Sequence, residues 1–194
     1  MQTRGKEETM KNFMKAAITA FAAIALTLGV SAPAQAGKPA PAAAATLVFD
    51  ADGSNLSVAA AAADWSKGTG ITVVTGDCTG TKCVHFKVIP TTGTTWPCKQ
   101  FGLGFHYGCA YSLSDGGCQV EVAANVFGRG HLELMVTKHE AGHCVFKYGG
   151  KAVSFHLPDS PHALMSATQP GAPKKKDAML TTIDRNFTKT LNFG

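Results

Sequence analysis

The sequence predicts an α+β domain: a small, twisted, mixed sheet with an N-terminal helix, a central helix carrying two histidines, and a C-terminal helix. Three observations predict it. Short β-branched stretches alternate apolar and polar residues, as strands do, while longer runs place apolar residues three and four apart, as helices do. The chain of 194 residues is 45% apolar and only 16% charged, enough to bury one core. No internal repeat is visible.

The elements follow in order. Lys11 and Lys15 precede an apolar run, Ala16 to Val30, and then Ala34-Gln35-Ala36. That is the charge, apolar core and small-residue cleavage pattern of a signal peptide over residues 1–36, with Gly37 the first mature residue. Fifteen apolar residues fall short of the ~20 that span a bilayer. Residues 37–45, rich in Pro and Ala, read as an extended spacer, so the domain is expected over 46–194. Asn55 to Lys67 is Ala-rich, carries Leu56, Val58 and Trp65, and stops at Gly68-Thr69-Gly70, which makes it the first helix. Ile71–Thr75 and Val84–Ile89 read as neighbouring strands joined by a Gly-rich loop. Residues 93–118, dense in Gly, Cys and aromatics, read as a long disulfide-braced loop with room for short strands. Gln119–Val126 alternates again, and Gly128-Arg129-Gly130 turns the chain into the central helix near His131. After Gly149-Gly150 comes an irregular stretch, and a last helix is expected from Leu180 to Leu191.

All six cysteines, at 78, 83, 98, 109, 118 and 144, follow the signal segment, and an even count in an exported chain points to disulfides. Fifteen pairings are open. Short separations favour Cys78–Cys83 and Cys109–Cys118, which leaves Cys98 with Cys144. A zinc knuckle fits less well, because no pair has CxxC spacing. Net charge is +5 for the whole chain and +3 without residues 1–36. This is too mild to imply nucleic acid, and the only basic cluster, Lys174-Lys175-Lys176, has no interleaved aromatics.

The chemistry concentrates in His139-Glu-Ala-Gly-His143. On a helix, i and i+4 lie one turn apart on one face, so His139 and His143 can present two ring nitrogens to one metal. Leu132, Met135, Val136 and Phe146 share that face, so both histidines point inward. Glu140 sits beside the metal position, where it can take a proton from a zinc-activated water and later give one to the leaving amine. With seven histidines and five glutamates, chance produces such a motif in about one chain per hundred. A catalytic zinc needs a third protein ligand and an open position. No glutamate follows Glu140, which leaves His156, His162 or an aspartate such as Asp159. His85, His106 and His131 match no ligand spacing. Asp50-Ala-Asp52-Gly53 hints at calcium, but the rest of a loop site is missing and a turn accounts for it.

Here the chain resembles the metzincins, and among them the matrixin-like zinc peptidases. The matching residues are Val136–His143, then His156-Leu-Pro-Asp159 with Ala163-Leu164-Met165, and Leu180–Asp184 running to Leu191–Gly194, with Ala62–Ser66 and Gly70–Val73 upstream. The resemblance implies a metzincin-like catalytic domain with His139, His143 and His156 as zinc ligands. It also implies Glu140 as general base and Met165 as a floor beneath the metal. The family's third histidine lies six residues after the second, following a glycine turn. Here His156 lies thirteen after His143, so about seven residues are added around Lys147–Ser154. The resemblance further suggests Gln119–Ala124 as an edge strand pairing with an extended substrate, although an interior strand fits the sequence about as well.

The expectation is therefore a secreted, extracellular or periplasmic zinc endopeptidase with one catalytic zinc, acting on protein or peptide, without nucleic acid or lasting membrane association. The alternative is a disulfide-braced extracellular binding module whose zinc is structural, held by four protein ligands.

Overall fold

Among the described residues, five short strands, rich in Val, Ile, Phe and Thr, pair into one sheet in the order β2-β1-β3-β5-β4. They are β1 (Thr46–Asp50), β2 (Thr72–Thr75), β3 (Cys83–Ile89), β4 (Gly108–Ser112) and β5 (Cys118–Ala123). The first three pairings are parallel, and β4 runs antiparallel to β5. Three α-helices accompany them among the described residues: α1 (Val58–Ser66), α2 (His131–Tyr148) and α3 (Thr182–Lys189), with a 3₁₀ turn at Lys175–Ala178. The computed structural model describes residues 44–90, 107–158, 160, 162–167 and 173–194. Residues 1–36, read from sequence as a signal peptide, most of 37–45, read as a spacer, and Cys98, His106 and Asp159 lie outside the described residues.

Strand alternation sorts the sheet into two faces. Leu47, Phe49, Val73, Val84, Phe86, Cys118, Val120 and Val122 share one face and are buried beneath the helices. Phe49 and Phe86 meet at 5.2 Å between ring centroids, and Trp65 of α1 meets Phe146 of α2 edge to face at 5.9 Å. The interior is thus one apolar layer between the sheet and α1 and α2. No helix among the described residues is long and apolar enough to cross a membrane.

Two strand expectations change. The two segments read as neighbours, β2 and β3, are separated by β1, which pairs with both. The Gly-rich link between them resembles a hairpin loop, yet the strands are parallel, and their stagger along β1 lets a short link suffice: β2 ends level with Phe49, whereas β3 begins level with Val48. The segment proposed as an edge, β5, is interior, hydrogen-bonded to β3 on one side and β4 on the other. All six of its residues are buried, which alternation alone did not reveal.

Cys78–Cys83 forms as expected. The other expected pairings do not, because Cys118 bonds Cys144. On β4, Cys109 stands opposite Glu121, an odd number of residues from Cys118, so Cys109 and Cys118 project to opposite faces of the sheet. Cys118 faces the helix layer and reaches Cys144, clamping α2 onto the central strands, while Cys109 is disulfide-bonded elsewhere. Two such bonds are consistent with an extracellular protein.

Candidate metal centre

α2 supplies the centre, and its placement begins at its N-terminus. Glu133 accepts hydrogen bonds from Ser57 N, Ser57 Oγ and Gly128 N, fixing α2 against the start of α1. Two turns later His139 and His143 lie on one face, their Nε2 atoms 3.2 Å apart. The chain then passes Gly149-Gly150, doubles back, and brings His156 alongside, with ring centroids 4.6 Å from His143 and 5.4 Å from His139. One ring nitrogen from each of the three histidines lies within 4.8 Å of the others. Among the described residues no fourth His, Cys, Asp or Glu joins this group. His162, the sequence's other histidine candidate, is exposed and stands apart from it.

The donor set fits a divalent metal. His139 Nδ1 donates to the Leu164 carbonyl at 2.7 Å, which fixes the proton on Nδ1 and leaves the Nε2 lone pair bare. That lone pair faces another imidazole nitrogen at a distance near the ~3.3 Å separating two nitrogens on a tetrahedral ion with bonds of about 2.0–2.1 Å. Burial holds the rings neutral, the form that binds metal. It pushes His139 down to about 4, and lowers His156. His143 is lowered well below its ordinary value by burial, reinforced by the charges of His139 and His156. A second group, Asp50 with Cys78 and Cys83, also has ligand atoms close together, but its two sulfurs are spent in the disulfide.

Glu140 lies beside the histidines, one carboxylate oxygen 4.0 Å from His143 Nε2. It is buried, and desolvation pushes its carboxyl up to about 8, so it is a group poised to exchange a proton. The backbone of β4 runs against it: a Cβ on Gly108 would stand 2.9 Å from Glu140 Cγ and 2.8 Å from Val136 Cγ1. Only glycine allows that approach.

Two further parts were not assigned from sequence. Gly142 has no side chain because Met165 and Trp65 press against the helix there; a Cβ would come within 2.2 Å of Met165 Sδ and 2.5 Å of Trp65 Cζ2. Asp184, fully buried at the start of α3, accepts hydrogen bonds from Leu164 N, Met165 N, Thr181 N and Thr181 Oγ1. It holds the turn whose Leu164 carbonyl holds His139. The signal for it was the Thr181-x-x-Asp184 capping box, which reads locally as a helix start and says nothing of a turn twenty residues away.

No known protein-family model matches the chain, and no curated protein sequence matches it.

Proposed function

We propose that this chain is a secreted, zinc-dependent endopeptidase of the matrixin-like metzincin kind. The observation that carries the reading is the convergence of three neutral imidazoles with one side left free of protein ligands among the described residues, and with a protonatable carboxyl beside them. A closed structural site would want a fourth protein ligand. The matrixin-like resemblance of 136–143 and 156–165 gives the class, and the disulfides accord with export.

His139, His143 and His156 would hold the metal. Bound zinc supplies Lewis acidity, polarising a peptide carbonyl and lowering the pKa of water towards about 7. Glu140 takes the proton of the water that attacks the carbonyl and delivers it to the departing amine nitrogen, so no covalent acyl-enzyme is required. To accept that proton the carboxyl must be ionised, and a divalent cation held by the neighbouring histidines would favour the ionised form that burial alone disfavours. The substrate strand docks on β4 rather than β5: β4 is the last strand of the sheet among the described residues, and Gly108 places its backbone against Glu140. An extended peptide hydrogen-bonded along that edge would carry its scissile bond past the glutamate.

The test is hydrolysis of casein by the mature protein, with and without a chelator, beside Glu140→Gln. The reading expects zinc bound in both proteins, and activity lost on chelation. It expects activity to fall by about 10²- to 10⁴-fold in the variant. An inert wild type that holds zinc would select the structural-zinc binding module instead.

A further inference from the structure

We propose that Phe155 is a positioning residue for the histidine cluster, the anchor of a strap, Val153–Phe155, that orients both His143 and His156; this rests on the zinc reading above. The strap is the returning limb of the excursion that separates the second histidine from the third. α2 does not stop after His143 but continues to Tyr148, and Gly150, at φ +85°, reverses the chain. Lys151 N then closes the reversal on the Phe146 carbonyl at 2.9 Å. An excursion of this length would leave His156 at the end of a flexible arm unless something fixed its far side.

Three aromatic rings do so. Phe155 stacks on Phe187 of α3 with centroids 5.3 Å apart and planes 9° from parallel, and meets Phe146 of α2 at 5.9 Å and 67°. Phe146 and Phe187 also touch, at 5.1 Å, so the third ring enters a notch already formed by two helices. The Lys151 ammonium covers the outside, 5.6 Å from one ring centre and 5.8 Å from the other. On the far side of His156, Leu157 N donates to the Met165 carbonyl at 2.9 Å. His156 is thus held between an aromatic anchor and the turn beneath the metal position.

The strap's backbone also faces the rings. The backbone of Phe155 and Val153 lies against His143, and that of Ser154 against His156. His143 Nδ1 is buried and makes no well-aligned hydrogen bond, so the orientation of its ring depends on how firmly this backbone is seated. Partners of this kind, one shell beyond the ligands, set ring orientation and hence affinity.

The experiment measures zinc affinity by competition with a chromophoric chelator, and the visible spectrum of the Co²⁺-substituted protein. Wild type, Phe155→Ala, Phe155→Tyr, Phe187→Ala and His156→Ala are compared, with the melting temperature of each metal-free protein. Phe155→Ala should lose about tenfold to a hundredfold in affinity, and its Co²⁺ spectrum should move towards that of His156→Ala. Phe155→Tyr, which keeps the stack, should retain both. Phe187→Ala removes the stack without altering the strap and should give a smaller loss of the same kind, which keeps the test open if Phe155→Ala folds poorly. Wild-type affinity and an unchanged spectrum in both alanine variants would overturn the proposal and leave the zinc reading standing. A wild type that takes up no zinc would overturn both.

Discussion

Lys138 and His139 are neighbours on one helix, and the polar clusters they enter differ in how completely their atoms are matched. Lys138 is buried, yet its ammonium meets Asp64 Oδ2 at 2.8 Å and the Ala178 carbonyl at 2.8 Å, while Asp64 also takes Arg185 at 3.2 Å. Burial alone would raise the Asp64 pKa, but the hydrogen bond and charge of Lys138 bring it below its ordinary value. On the other face, two imidazole nitrogens confront each other, Glu140 is held neutral by burial, and His143 Nδ1 lacks a well-made partner. The first cluster joins α1, α2 and α3 and is complete in itself. The second is incomplete, and its three ring nitrogens lie close enough together that they could hold a metal ion. Buried polar groups are costly unless satisfied, so an unsatisfied set within one residue of a satisfied one is a mark of function.

That contrast yields opposite expectations for substitutions in the metal-free protein. Asp64→Ala leaves the Lys138 charge buried without its partner and should cost about 3–5 kcal/mol, a fall in melting temperature on the order of 10 °C. If the drop were negligible, the first cluster would not be the structural joint described here.

Glu140→Gln should do the reverse. The Glu140 carboxyl titrates at about 8 when folded, against 4.5 when free. As pH rises from 4.5 to 8 the unfolded state gives up its proton while the folded state still holds it, so wild-type stability declines across that window. Gln cannot ionise and escapes the decline. The melting temperature of metal-free Glu140→Gln should therefore rise relative to wild type between pH 5 and 8 and level off above 8; a constant difference would contradict the burial of an unmatched carboxyl.

The smallest effect belongs to Gly142→Ala. The new Cβ must displace Met165 and Trp65, an overpacking cost of about 1–3 kcal/mol, and the better helix propensity of alanine returns up to about 1 kcal/mol of it. A fall of a few degrees by thermal melt is expected, and an increase would show that Met165 does not bear on the helix.

The elements legible in the sequence were those encoded by short-range periodicity. Six-residue apolar alternation gave Val84–Ile89, the Ala-rich run gave α1, and the i, i+4 geometry of a helix put His139 and His143 within reach of one ion without any tertiary information. The Cys78–Cys83 staple was legible too, because a loop that short leaves its cysteines few other partners.

What the chain could not declare by itself were relations across long separations. Whether β5 is an edge or an interior strand depends on where β3 and β4 dock; that Cys118 takes Cys144 depends on which face of the sheet α2 covers. That His156 and not His162 lies beside His139 and His143 is likewise a matter of packing. Thirteen residues after His143 is no helical multiple, and the contacts that flank that histidine, the Phe155 stack on Phe187 and the Leu157 N bond to the Met165 carbonyl, are made with distant parts of the chain. Local pattern is set by the backbone's own periods of 3.6 and 2 residues, whereas convergence of distant side chains is set by which apolar faces bury one another, and that is decided only when the whole chain folds.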